Sequence, residues 1–459
     1  METVFNQSIW GDEGFSAILS MKSVPEILEI ISRDTSPPLW NIFEHYAFQF
    51  FGTSESVIRG LSFSFFLLAI FFTYKIGSLL FSRRTGVLSA ILTLLNPFFF
   101  AYAFEGRMYS ILALGVVGSM YFFFKYFDEN EPSFSTKSGY VFSSLFALYS
   151  HHFSFFAFFI QGIWFVYELV FGKRKRAVKM IKLFFLIGFG YAPWLVPLYN
   201  QTKMVSGGFW LGTPTPTDLR NVIYDYLAEG IKQFDYIIPI TKLKVYELAL
   251  YLVFSILILR NWLKSFKKTL FLMLWFLGPI LATWMVSQKF QSIFFNRYLL
   301  YTIPASMIII SSSRRRLSIF SIGAVIIIFA FIDYYYFTHP TKLPFREMAA
   351  YVKETRTNGD LIINWNSSAH HLWETKFYDI DAPIYIPKGK ESLPFFVGTA
   401  LMEDGDIIRE IPQGTKRVGV VISGAIEEIN LSGYSQVSVK ELDGLKFVWY
   451  TSSALNSND

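Results

Sequence analysis

The chain has 459 residues, 53% hydrophobic and 19% aromatic with only 17% charged, whereas a soluble domain carries nearer ~25% charged residues. Its 51 Phe and 26 Tyr suit lipid contact and interfacial belts, so the composition excludes an ordinary water-soluble protein. The net charge of +6 comes from short basic clusters between apolar runs, which reads as topology signalling and not nucleic-acid binding, and the lack of Cys excludes disulfides and thiolate metal sites.

Residues 1–15 lack a basic start followed by an apolar core, so no secretory signal peptide is visible. They hold instead two adjacent acids, Asp12 and Glu13, in "SIWGDEGFSAIL". Crossing the hydrocarbon core as a helix takes about 20 apolar residues. Such runs lie near 61–81, 87–104, 108–127, 153–171, 182–199, 246–260, 269–286, 298–312 and 317–337, and a shorter one near 139–150 completes a tight pair, giving about ten spans. If each run crosses once, Arg83, Arg84, Lys125, Lys137, the cluster at 173–182, the cluster at 260–268 and Arg314 to Arg316 share one face. The positive-inside rule makes that face cytoplasmic. The other face then carries Asp12, Glu13, Asp34, Glu105, His151, His152, the loop 200–245, Arg297 and everything after Tyr336. Past Pro340 the pattern changes: "PFREMAAYVKETRTNGD" has helical periodicity ending in Asn-Gly, and "LIINW", "APIYI", "RVGVVIS" and "LKFVWY" are short β-rich stretches. The expected architecture is a polytopic α-helical membrane domain over residues 1–339, with its first outer loop at 1–56, followed by a small extracytoplasmic α/β domain over 340–459.

No Gly-rich phosphate loop precedes a Lys-Ser or Lys-Thr pair, so nucleotide-driven transport has no support. Group transfer outside the cytoplasm needs a donor delivered through the bilayer, and a lipid phosphate is the obvious form. Sugar transfer from such a donor requires a carboxylate to take the acceptor's proton, cations or a metal to stabilise the departing phosphate, and a groove for the lipid tail. The outer face supplies carboxylates at Asp12, Glu13, Asp34 and Glu105, guanidiniums at Arg107 and Arg297 with Arg59 as a further candidate, and imidazoles at His151 and His152.

Five fragments carry a resemblance: "SIWGDEGFSAIL", "DTSPPLWNIFEHYAFQFFGTSESVIRGLS", "LNPFFFAYAFEGRMYSILAL", "ALYSHHFSFFAF" and "FFNRYLLYTIPA". In this order they resemble the GT-C membrane glycosyltransferases, in the branch of the protein O-mannosyltransferases and the lipid A aminoarabinose transferase. The resemblance covers residues 8 to 365 and implies a polyprenyl-phosphate sugar donor, a protein, lipid or glycan acceptor, and a place in the plasma membrane with the active site outside the cytoplasm. It implies Asp12 as catalytic base and Glu13 as its partner. It puts Arg297, Arg107 and Tyr298 on the donor phosphate. It puts Glu105 and Asp34, with a weaker contribution from His151 and His152, on a divalent metal such as Mg2+ or Mn2+. Ser36 stands where many relatives carry His before the Pro-Pro pair, which removes one phosphate or metal contact. The family also has a span before the Asp-Glu loop, whereas Met1 lies eleven positions before Asp12, so the resemblance implies either a first helix missing upstream or a loop tethered only at its C-terminal side.

Each residue also has a plain structural reading. The Asp12–Glu13 pair suits the first turn of an amphipathic helix, Asp34 an ordinary turn before Pro37, and Arg297 a side chain snorkelling to the interface. The adjacent histidines would point about 100° apart on a helix, so at most one acts as a ligand. Two other functions fit many spans with outer charges. One is a lipid-linked-sugar transporter or flippase. The other is a non-catalytic membrane module whose outer domain binds a partner; deleting residues after Pro340 would abolish it, whereas it would alter acceptor choice in a transferase.

Overall fold

The computed structural model describes residues 2–229, 252–256, 258–259, 265–312, 316–387, 389 and 393–453. Most of the span expected at 246–260 and the basic residues Arg260, Lys264, Arg314 and Arg315 lie outside these residues. Two compact units make up the chain: Met1–Asp34, Asn41–Ile58 and Pro340–Asp459 form one, and Thr35–Trp40 with Arg59–His339 form the other. The sequence grouped residues 1–56 with the spans. The contacts instead group most of them with the segment after Pro340.

In the first unit, α1 (Gly11–Ser20), α2 (Val24–Ile31) and α3 (Leu39–Phe51) precede the start of α4 (Glu55–Leu80). α2 opens on a capping box, with Ser23 and Glu26 satisfying each other's backbone amides and Pro25 in the first turn. The rest of the unit holds α16 (Phe345–Thr355), α17 (His371–Phe377) and a sheet of β1 (Leu361–Trp365), β2 (Ile384–Tyr385), β3 (Ile407–Ile408), β4 (Arg417–Ile422), β5 (Tyr434–Leu442) and β6 (Leu445–Ser452), in the order β3-β2-β1-β4-β6-β5. β1 pairs in parallel with β2 and β4, β2 with β3, while β6 runs antiparallel to β4 and β5. The β5–β6 hairpin turns on Asp443 and Gly444, both at positive φ, as a two-residue loop of this hand requires. β4 is buried on both faces because Val421 joins one apolar core with Phe345, Met348 and Phe447, while Val418, Val420 and Ile422 join another with Trp365 and Val448. On the second face a cleft of about 960 Å³ is lined by Trp365, Tyr385, Arg409, Tyr434 and neighbouring loop residues, and by none of the site residues named from the sequence.

Polar contacts tie the two ends of the chain together inside this unit. Gln7 Oε1 accepts from the amides of Thr341 and Lys342 at 2.7 and 3.0 Å, and Lys22 pairs with Glu403 at 2.7 Å. Glu55 accepts from Arg346 Nη2 at 2.6 Å and from the Tyr378 hydroxyl at 2.8 Å.

The second unit is helical: the body of α4, then α5 (Arg83–Leu94), α6 (Pro97–Ala103), α7 (Tyr109–Asp128), α8 (Phe134–Ser150), α9 (Ser154–Val170), α10 (Arg174–Tyr191), α11 (Leu195–Ser206), α12 (Pro216–Tyr224), α13 (Phe266–Val286), α14 (Ile303–Ser311) and α15 (Arg316–Thr338). Among the described residues five helical segments are long and apolar enough to cross a membrane, or six if the bent pair α5–α6 counts as one span; α9 and the stretch Leu300–Ser311 are shorter. The expectation of about ten spans is thus met only in its coarser form, a multi-pass helical membrane protein. Pro97 and Asn96 explain the 66° bend between α5 and α6: Pro97 supplies no amide to continue α5, and the Asn96 side chain caps the new helix at Phe99 N. α7 and α8 approach closely because Gly115 faces Ala147, whose Cα would lie 2.7 Å from an added Cβ.

Candidate active site

Three connections in the helical unit carry the expected polar residues. The bend at Asn96 aims α6 so that the turn after it presents Glu105 and Arg107 before α7 begins. In that turn Arg107 N donates to Glu105 O at 2.8 Å. The junction of α8 and α9 carries His151 and His152. A 3-10 turn at Asn296–Tyr298 carries Arg297 and Tyr298.

These connections converge. The Tyr298 ring lies 4.8 Å from that of His151, 5.0 Å from Phe153 and 6.1 Å from Tyr109. The Arg297 guanidinium sits 4.7 Å from the Phe295 ring centre and 5.6 Å from that of Tyr109. The charges of Arg107 and Arg297 both act on His151, and those of Arg297, Glu105 and Asp225 on Tyr102. Glu105, Arg107, His151, Arg297 and Tyr298, all named from the sequence, therefore belong to one neighbourhood. The sequence reading missed Tyr102, Phe295 and Asp225, whose residue types carry no signal without the fold. It also missed Asp333 on α15, which is buried with no hydrogen-bond partner for either carboxyl oxygen. The helical periodicity gives no hint that Asp333 faces inward.

The two histidines do different things. His151 Nδ1 accepts the Phe153 amide at 3.1 Å, so in the neutral ring Nε2 carries the proton. It is a donor suited to an anion and has no lone pair to offer a metal. His152 Nε2 is 2.7 Å from Gln201 Oε1, and Gln201 Nε2 donates to the Ser36 carbonyl at 3.2 Å. His152 is a structural tie to the segment 35–40.

The metal expectation does not fit the residues present. Among the described residues no three His, Asp or Glu side chains gather to hold a metal ion.

In the first unit α1 presents Asp12 half-buried and Glu13 wholly buried. α1 packs on α17 (His371–Phe377), the helix after β1. Asp34 is buried in the turn that follows α2, where its amide donates to Ile31 O at 3.1 Å.

Residues 35–196 match the family described as dolichyl-phosphate-mannose-protein mannosyltransferase. No curated protein matches the sequence as a whole. The fold is similar to the crystal structure of ArnT from Cupriavidus metallidurans in the apo state, at 11% identity and a TM-score of 0.64, covering 98% of this chain and 96% of that one. It is similar also to the same protein bound to undecaprenyl phosphate, at 12% identity and a TM-score of 0.58, over 98% and 95% of the two chains. The Archaeoglobus fulgidus oligosaccharyltransferase in complex with Zn and sulfate matches at 15% identity and a TM-score of 0.50, over 77% of this chain and 52% of that one. The resemblance read from the five sequence fragments is borne out: residues 35–196 match that mannosyltransferase family, and the chain shares the fold of ArnT over nearly its whole length.

Proposed function

We propose that the chain transfers a sugar from a polyprenyl-phosphate donor to an acceptor hydroxyl outside the cytoplasm, in one inverting displacement. Arg297 and Arg107 grip the donor phosphate through their N–H forks, and the His151 Nε2 proton adds a third donor. The rings of Tyr109, Phe295 and Tyr298 hold the Arg297 guanidinium in place. The acceptor oxygen attacks the anomeric carbon, the carbon–oxygen bond to phosphate breaks, and the polyprenyl phosphate leaves with its charge met by the guanidiniums. Asp12 takes the acceptor's proton, and Glu13, its buried neighbour on α1, orients that carboxylate. The outer placement of the site follows from the positive-inside reading of the basic clusters. Residues 340–459 belong on that same side.

The observation that carries the reading is the gathering of Arg107, His151, Arg297 and Tyr298 from three connections of one helical unit. Support for the donor class comes from the ArnT neighbour bound to undecaprenyl phosphate. The test supplies radiolabelled undecaprenyl-phosphate hexoses to membranes holding the wild type or Asp12→Asn at matched expression. Loss of transfer in the variant is expected; near-normal transfer removes Asp12 from the mechanism. Label crossing the bilayer with its sugar–phosphate bond intact would favour the flippase reading.

A further inference from the structure

We propose that Glu374 is a positioning residue for the Asp12–Glu13 pair, so that the α/β segment is part of the catalytic unit and not only a selector of acceptors. The inference rests on the reading of Asp12 as base.

The argument starts from the glycines that bracket the acids in Gly11-Asp12-Glu13-Gly14. A Cβ on Gly11 would meet His370 Cβ at 2.9 Å, and one on Gly14 would meet the Trp373 carbonyl carbon at 2.8 Å. These glycines therefore let α1 lie against α17 at backbone distance, and the acids between them ride on the first turn of α1 that this contact holds. Phe15 packs edge-on to Trp373 at 5.4 Å and closes the seam beside them.

Glu374 projects from α17 with only 3% of its surface exposed, and its Oε2 has no hydrogen-bond partner. A seam built only for packing would place an apolar side chain there, because a buried carboxyl with one oxygen unbonded costs stability. Asp12, Glu13 and the backbone amide of Gly11, the first residue of α1, all act on this carboxyl. Burial, with the two nearby carboxylates, raises Glu374 well above the usual carboxylate range and so favours its neutral form. The other titratable groups of α17 are engaged elsewhere or uncharged: Lys376 pairs with Asp406 at 2.6 Å, and burial keeps His371 neutral. A neutral acid does not repel the pair, as an ionised one would, and it offers a polar group to the first turn of α1. A displacement of about 1 Å in a catalytic group costs on the order of a hundredfold in rate.

The test compares Glu374→Leu, which fills the volume but carries no polar group, with Glu374→Gln, which keeps the shape and the acceptor. Asp12→Asn is measured beside them. Donor turnover is followed with undecaprenyl-phosphate [3H]mannose, with membranes as the source of acceptor. Glu374→Leu should keep a thermal midpoint at least equal to the wild type while kcat falls about tenfold or more and the donor KM stays within about twofold; Glu374→Gln should recover kcat to within about threefold. A Leu variant with wild-type kcat, or a Gln variant as slow as the Leu variant, overturns the proposal. If Glu374→Leu does not fold, a wild-type kcat for Glu374→Gln together with a slowed Glu374→Asp, whose shorter arm withdraws the carboxyl, supports it, and a wild-type Glu374→Asp overturns it. An active Asp12→Asn removes Asp12 as base and with it the premise of the positioning role, whereas an inactive Asp12→Asn beside a normal Glu374→Leu sinks only the positioning role.

Discussion

Arg297 lies with the aromatic faces of Tyr109, Phe295 and Tyr298 within 6 Å of its guanidinium. Its planar fork is not reproduced by a lysine ammonium. Arg297→Ala is therefore expected to lower kcat/KM for the lipid-linked donor by about a hundredfold, and Arg297→Lys to fall between the two, in the radiolabelled transfer assay. At Glu55, burial works against the charged form, but the bonds from Arg346 and Tyr378 outweigh it and hold the carboxyl below its ordinary 4.5. A depressed carboxylate stabilises the fold above its unfolded value and loses that contribution as the pH falls through the folded one. Acid unfolding monitored below pH 4.5 should be steeper in the wild type than in Glu55→Gln. Individual residues were unevenly legible. Arg297 stood out because a cation outside the cytoplasm runs against the positive-inside bias. Glu374 did not, since a lone acid in a short helix gives no sign that it is buried.

At the scale of elements, the seam between α1 and α17 makes the sharpest demands. An alanine at position 14 would drive its methyl into the Trp373 backbone, which cannot swing away as a side-chain tip can. Gly14→Ala should cost about 1–3 kcal/mol, read as a lowered thermal midpoint and faster proteolysis of the first loop. The same seam carries two buried groups of opposite pH behaviour. Burial, with His370 adding to it, pushes His371 down to about 3, so its contribution is present above its ordinary 6.5 and is lost as the pH falls towards 3. Glu374 is raised, so its contribution is complete below 4.5 and is lost as the pH climbs. Stability of this unit should peak at mildly acidic pH. His371→Leu should flatten the acid side of a thermal-melt series, and Glu374→Gln the alkaline side. Periodicity located the apolar runs of the longer helices and strands β1, β2, β4 and β6, because both signals are local, and missed β3 and β5. The bend at Asn96–Pro97 and the 3-10 turn at 296–298 were not legible as site-building devices. Their value lies in where they send the chain.

At the scale of the molecule, the grouping of residues 1–34 and 41–58 with residues 340–459 changes what a truncation means. The sequence expectation for a transferase was altered acceptor choice after removal of the segment beyond Pro340. The shared unit leads to a harsher outcome: α1 loses α17, Gln7 loses the amides of Thr341 and Lys342, and Glu55 loses Arg346 and Tyr378. A chain ending at residue 339 should yield little transfer, and its first loop should be cut early by protease in membranes; robust activity from it would contradict a shared unit. The sequence by itself determined the membrane class, the polar residues of the connecting turns and the change of architecture after Pro340, because hydropathy and residue spacing act over a few turns of chain. Only the tertiary structure decided that Arg107, His151, Arg297 and Tyr298 meet, that His151 offers a proton and not a metal lone pair, and that the Asp-Glu pair rests on a helix some 360 residues away along the chain. Those outcomes depend on contacts between distant segments, which no local pattern encodes.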